Sequence, residues 1–222
     1  MIEKVITSTL KELLSFLESN RDFFELAPAL QQKTLENSNL PESIRDYMVQ
    51  TNEQDLLANL KSIFRQGKNL NDIFDNEIIL AISKFLSQEI GSILDQTPLS
   101  YFIEKREAKE KKINERITKK GIVYETIKKE FTTRTYQEII HAINDFAKAT
   151  GHKNFMVVQS PREISTSMKG EIRRQLQEKK PYNYPLFQVN KKIIGGIRIS
   201  ENGTLQDHSW LSRVLKFTSI TN

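Results

Sequence analysis

Apolar residues recur at helical spacing over the first half of this chain and at strand spacing over much of the last third. Ile2, Val5, Ile6, Leu10, Leu13, Leu14 and Leu17 fall at three- and four-residue steps, which predicts a first helix with one buried face. Phe23, Phe24, Leu26, Ala27 and Leu30 begin a second, broken by Pro28, and Asn37 to Pro41 reads as a loop. Glu42 to Val49 makes a short helix, and Leu56, Leu57, Leu60, Ile63 and Phe64 make another that stops near Gly67. Ile73, Phe74, Ile78, Ile79, Ile82, Phe85, Leu86, Ile90, Ile93 and Leu94 give one or two longer helices, ended by Thr97-Pro98. The pattern predicts a compact helical bundle over residues 1–98.

Leu99 to Phe131 differs in kind, with strong helix formers, few turn residues and dense charge. Glu107 with Lys111 and Glu115 with Lys119 stand in the favourable i,i+4 order. Ile103, Ile113, Ile117, Tyr124, Ile127 and Phe131 follow an interrupted heptad seam that Gly121 should dent. The expectation over 99–135 is a charged helical connector or insertion, either solvated or paired with a partner helix.

Thr135-Tyr136-Gln137-Glu138 reads as a capping box that opens a helix through Ile139, Ile140, Ile143 and Phe146 to a stop at Gly151. Phe155 to Val158 is a short buried strand. Ser160-Pro161-Arg162-Glu163 reads as a second capping box, whose helix is lined by Ile164, Met168, Ile172 and Leu176 as far as Lys180. Pro181 and Pro185 end it and lead to strands over Leu186 to Asn190 and Ile193 to Ser200, with Gly195-Gly196 as a bulge. Asn202-Gly203 is the dipeptide of a two-residue hairpin loop. A last helix carries Trp210, Leu211, Val214, Leu215 and Phe217, with Asp207 or Ser209 as its cap. The fold class is α+β: an amphipathic helical bundle, a charged connecting helix, and a small α/β domain with a β-hairpin over 136–222.

Composition narrows the chemistry. With 38% hydrophobic and 27% charged residues over 222 positions, the chain has material for one or two cores, and no apolar run reaches the ~20 residues of a membrane span. The first residues lack the pattern of a secretory or Arg-rich transit signal, so a mature cytoplasmic or organelle-encoded protein is expected. Zero cysteines exclude disulfides, thiolate catalysis and cysteine-bearing zinc sites. Residues 1–99 carry 9 Lys+Arg and 15 Asp+Glu, net −6, whereas 100–222 carry 24 and 13, net +11, which together give the overall +5. Such asymmetry suggests two units with different partners.

His141 and Asp145 are four residues apart on one helix, which is two ligands short of a metal centre, and His152 and His208 stand elsewhere. No G-x-x-x-x-G-K-[ST] loop or G-x-G-x-x-G fingerprint exists, and Ser160 has no histidine at hand. The expectation is a protein without catalytic residues, cofactor or metal.

The string VNKKIIGGIRISENGTLQDHSWLSRVL resembles the C-terminal signature of the F-type ATP synthase delta subunit, the OSCP of mitochondria, on Val189, Ile193, Ile194, Gly195, Gly196, Ile197, Ile199, Gly203, Asp207 and Ser209. It departs at Asn190 and Lys191, where the family has Asp-Pro. Val158, Ser160, Pro161 and Ile164 also stand where the family has V-x-S-A/P-x-x-L, so the resemblance covers about 136–217, with helical agreement alone before it. It implies a peripheral-stalk, or stator, subunit that links the alpha subunits of the catalytic head to the b-type stalk during proton-driven ATP synthesis. It also implies a place at the cytoplasmic face of an energy-transducing membrane, or at the mitochondrial or plastid equivalent. Trp210, Leu211, Val214 and Leu215 would then serve packing or stalk contact. Two alternatives stand beside it. One is a nucleic-acid-binding module built on Lys105, Arg106, Lys109, Lys111, Lys112, Arg116, Lys119 and Lys120, with Tyr101, Phe102 and Tyr124 as stacking partners. The other is an E-like stalk subunit of a V-type ATPase.

Overall fold

The computed structural model describes residues 1–66, 75–150, 155–179, 184–201 and 204–212. Helices and a four-stranded mixed sheet make this part an α+β protein, as expected. The chain divides into two compact units, Met1–Ile93 with Thr97–Gly151, and Leu94–Gln96 with His152–Asn222.

In the first unit, α1 (Ile2–Ser19) follows the expected stripe, burying Val5, Ile6, Leu10, Leu13 and Phe16. Pro28 opens α2 (Pro28–Glu36) rather than breaking it, because a proline at the first helical position gives up an N–H that would have had no partner there. Next come α3 (Glu42–Gln50), α4 (Glu53–Gln66) and α5 (Glu77–Phe85). A π-helical turn, Leu86–Ile90, carries the chain on into α6 (Gly91–Gln96), of which Leu94–Gln96 counts with the second unit. Gly67, Ile73 and Phe74 lie outside the described residues.

The charged connector is not one long helix, and this is the largest correction. It forms α7 (Arg106–Arg116) and α8 (Ile122–Thr133). The break falls at Gly121, whose φ of +116° is the left-handed region, and whose Cβ, if it had one, would lie 2.9 Å from Cβ of Asn39. Glu12 caps the new helix by accepting the Ile122 N–H at 2.6 Å. The apolar seam is core: Ile113, Ile117, Tyr124, Ile127 and Phe131 are buried, while Ile103 is 87% exposed. A heptad stripe and the buried face of two successive helices look alike to periodicity, so the division expected at residues 98 and 135 disappears into the first unit. The expected charge pairs change too, with Lys119 donating to Glu89 and Arg106 to Glu110.

Two carboxylates stitch this unit. Glu89, in the π turn, accepts from the Glu42 N–H at 2.9 Å, Lys119 at 2.9 Å and the Tyr124 hydroxyl at 3.0 Å. Burial, and then the Glu89 charge, push the Tyr124 hydroxyl well above its ordinary pKa. Glu130, its side chain 1% exposed, accepts from Lys4 at 2.8 Å and from Arg134. Burial alone would raise its pKa, but the hydrogen bonds from Lys4 and Arg134 outweigh it and hold the carboxyl below the ordinary value. The capping box at α9 (Tyr136–Ala149) is as expected: Glu138 accepts the Thr135 N–H at 2.8 Å, and the Thr135 hydroxyl accepts the Glu138 N–H at 3.3 Å.

The second unit is built on β1 (Phe155–Ser160), α10 (Thr166–Lys179), β2 (Tyr184–Val189), β3 (Gly196–Glu201) and β4 (Thr204–Ser209). The order across the sheet is β2-β1-β3-β4. Strands β1 and β2 are parallel, joined by the α10 crossover, and β3 runs antiparallel to both β1 and β4. Met156, Val158 and Phe187 form the core, with Ile164, Ile172 and Ile199 packed against it. The second capping box is not there. Ser160 closes β1 opposite Val189, its hydroxyl donates to the Arg162 carbonyl, and the helix starts six residues later at Thr166. The side chain of Leu176 and residues Lys180 and Pro181 lie outside the described residues.

Candidate functional site

Gly195 and Gly196 meet Ser209 and Trp210 where the β2–β3 loop approaches the end of β4. Asn190 starts the loop: its N–H donates to the Ser160 carbonyl at 2.7 Å, and its side-chain oxygen accepts the Lys192 N–H at 3.1 Å. The Asn190 side chain thus imitates a backbone turn. Ile193 and Ile194 belong to this loop and not to a strand; Ile193 is 3% exposed and Ile194 is 69% exposed.

Gly195 and Gly196 are the reason the loop can enter β3. Their φ angles are +66° and +74°, so both sit in the left-handed region, where they end the loop instead of bulging a strand. At Gly195 a Cβ would lie 2.4 Å from Cδ1 of Trp210, and the Gly195 carbonyl accepts the Trp210 N–H at 3.3 Å. At Gly196 a Cβ would lie 2.4 Å from the His208 carbonyl oxygen and 2.9 Å from Cα of Ser209. The first glycine makes room for an indole and the second for backbone.

Across the hairpin, Glu201 pairs with Thr204, which leaves two residues in the loop, as the Asn-Gly dipeptide predicts. Asn202 and Gly203 themselves lie outside the described residues. The same register sets Arg198 opposite Asp207, and the guanidinium donates to the carboxylate at 2.8 Å. The other carboxylate oxygen accepts the Ser209 N–H at 2.8 Å. Hydrogen bonds from Ser209, side chain and backbone, and then from Arg198, hold Asp207 below its ordinary pKa. Asp207 is therefore a strand residue that fixes the corner, and the helix cap is Ser209, 1% exposed, whose hydroxyl accepts the Ser212 N–H at 3.3 Å.

Sequence reasoning missed Arg198, although counting outward from Asn202-Gly203 puts it across from Asp207. The described apolar residues expected to serve packing or stalk contact are partly exposed. Ile194, Trp210 and Leu211 are 69%, 65% and 47% exposed, and Val189, at the end of β2, is 38% exposed. Val214, Leu215 and Phe217 lie outside the described residues. The corner has two glycines at positive φ, an ion pair and several exposed apolar side chains, which suits docking.

The remaining candidates are dispersed. His141 and Asp145 are both exposed, His208 is exposed on β4, and His152 lies outside the described residues. Among the described residues, no group of three or more His, Cys, Asp or Glu is placed to hold a metal ion, and no helix is long and apolar enough to cross a membrane. Tyr101, Phe102 and Tyr124, the expected base-stacking partners, are only 0%, 8% and 2% exposed and offer no ring face to a nucleic acid.

No protein-family model matches the chain, and no curated protein matches it either.

Proposed function

We propose that this chain is a non-catalytic stator subunit of an F-type ATP synthase, of the delta or OSCP kind, joining the alpha and beta subunits of the head to a b-type stalk. The work of such a subunit is to resist the torque of the rotor. That calls for durable interfaces and needs neither a reactive centre nor a bound cofactor. It works in the cytoplasm beside an energy-transducing membrane or in the matching organelle compartment, attached through the complex.

The observation that carries the reading is the corner at Gly195 and Gly196. The residues on which the resemblance rests are ones the backbone itself demands: two glycines at positive φ, each against an atom that excludes a side chain, and an Asp-x-Ser that fixes the strand end behind them. Around that framework, Ile194, Trp210 and Leu211 face outward as an apolar surface for a stalk helix. The helical character of the first unit agrees with a delta-like amino-terminal part, in which helices hold the head.

The test is purification of the tagged full chain from its native cells in mild detergent, with identification of the co-purifying subunits. Recovery of alpha, beta and b-type subunits with ATPase activity is expected. Recovery of the intact chain without them overturns the reading.

A further inference from the structure

The sheet of the second unit ends in two unlike edges. At one, β2 is buried over Pro185, Leu186 and Phe187, and its proline has no N–H to offer an incoming strand. At the other, β4 is exposed at Thr204, Leu205, Gln206 and His208, and it has neither the proline nor the lysine that guards an open edge. A two-residue hairpin loop makes the flanking pair, Glu201 and Thr204, exchange hydrogen bonds, and every second pair after it does the same. Thr204, Gln206 and His208 therefore turn their main-chain groups toward β3, and in the same phase the Trp210 N–H reaches the Gly195 carbonyl. Leu205, Asp207 and Ser209 turn theirs outward. The Asp207 carboxylate takes the Ser209 N–H, which shortens the usable edge to Leu205 and Asp207. Among the described residues no strand pairs with that side of β4.

We infer that this edge pairs with the same edge of a second copy of the chain, antiparallel, with Gln206 on the two-fold axis. In that register Leu205 and Asp207 exchange N–H···O=C bonds with the partner's Asp207 and the partner's Leu205, so every group left open is used. Gln206 lies beside the partner's Gln206, and Thr204 beside the partner's His208, pairs of polar side chains that can hydrogen-bond to one another. The neighbouring registers are worse. Sliding the copy two residues one way sets the Asp207 carboxylates against each other, and two residues the other way sets Asp207 against the hairpin loop. A strand from a different protein is chosen by pockets that hold its side chains, whereas Thr204, Leu205, Gln206 and His208 stand in solvent. The pairing uses β4 alone and does not rest on the stator reading.

The test is sedimentation of the full chain from about 1 to about 300 µM, with cysteine cross-linking at single sites, for which a chain with no cysteine of its own is suited. The mass rises with concentration from that of one chain to that of two. Under mild oxidation Gln206→Cys gives a disulfide-linked pair, because directly opposed positions bring their Cβ atoms to about 5 Å, while Thr204→Cys, out of register with its own copy, does not. Leu205→Asp, which sets a second carboxylate opposite the partner's Asp207, weakens the dimer by about tenfold, and Leu205→Lys tightens it, both with an unchanged circular dichroism spectrum. A chain that stays monomeric over the whole range, a dimer indifferent to the charge at position 205, or Thr204→Cys cross-linking as readily as Gln206→Cys overturns the inference. Sedimentation of the wild-type chain needs no variant, so the outcome does not depend on a variant's folding.

Discussion

The two units of this protein balance buried and exposed apolar residues differently. The first buries a large core, in which Leu13, Phe23, Ile44, Ile78, Ile82, Phe85, Tyr101, Ile127 and Phe131 are all at most 1% exposed, while Phe64 and Ile103 stay 63% and 87% exposed. The second keeps a small core around Met156, Val158 and Phe187 and leaves Ile194, Leu205, Trp210 and Leu211 largely in solvent. Fixing the second unit therefore falls more heavily on backbone geometry, through two left-handed glycines and the Arg198–Asp207 pair, than on buried area. One unit is held by volume and the other by conformation, so they should fail for different reasons.

Substitution at Gly196 has the largest expected effect. Gly196→Val adds a strained φ and drives a side chain into the His208 carbonyl, which removes the ordered corner of the second unit. Trp210, the one tryptophan in the chain, then loses its native emission while the helical circular dichroism of the first unit persists. In the first unit, Phe131→Ala removes a fully buried ring and lowers stability by about 4 kcal/mol, read from denaturant unfolding. If the two changes had interchangeable effects on the two signals, the contrast between the units would be lost.

Glu130→Gln comes next, at about 2 kcal/mol, because Lys4 and Arg134 lose a buried charged acceptor. The sign of its pH dependence follows from a folded pKa below the ordinary 4.5. The carboxylate's contribution is complete above that value and is lost as pH falls through the lower folded one, so wild type and variant should converge in acid. Gly195→Ala is milder, at about 1 kcal/mol, since the exposed indole of Trp210 can swing away where a backbone cannot. A shift in tryptophan emission together with that small loss of stability would mark it. Smallest of all is Ile194→Asp, expected within about 0.5 kcal/mol of wild type because the side chain is already in water. On the stator reading this variant nevertheless loses the b-type subunit on purification.

Much of this was legible in the residues, and the failures have physical causes. The Thr135–Glu138 box was legible because both of its hydrogen bonds are local. The hairpin register followed from Asn202-Gly203 because a two-residue loop fixes every pairing beyond it. Ser160-Pro161-Arg162-Glu163 misled because a serine ending a strand and a serine capping a helix share one sequence, and pairing with β2 decides between them. The run of isoleucines before Gly195 read as strand because β-branched residues favour strands, yet the loop runs on to Gly195 and β3 begins only at Gly196. The break in the charged segment depended on Glu12 and Asn39, more than 80 positions away, which no local window contains.

The central claim is that the corner at Gly195, Gly196 and Trp210 is a prepared docking surface for the stalk. Trp210 reports on it directly, being 65% exposed and the sole tryptophan. The measurement is its emission and acrylamide quenching while a tryptophan-free b-type stalk subunit is titrated onto the full chain. A saturable blue shift with reduced quenching, absent in Ile194→Asp, is the predicted result. Emission and quenching that stay constant while the stalk subunit binds, or a failure to bind at all, would contradict it.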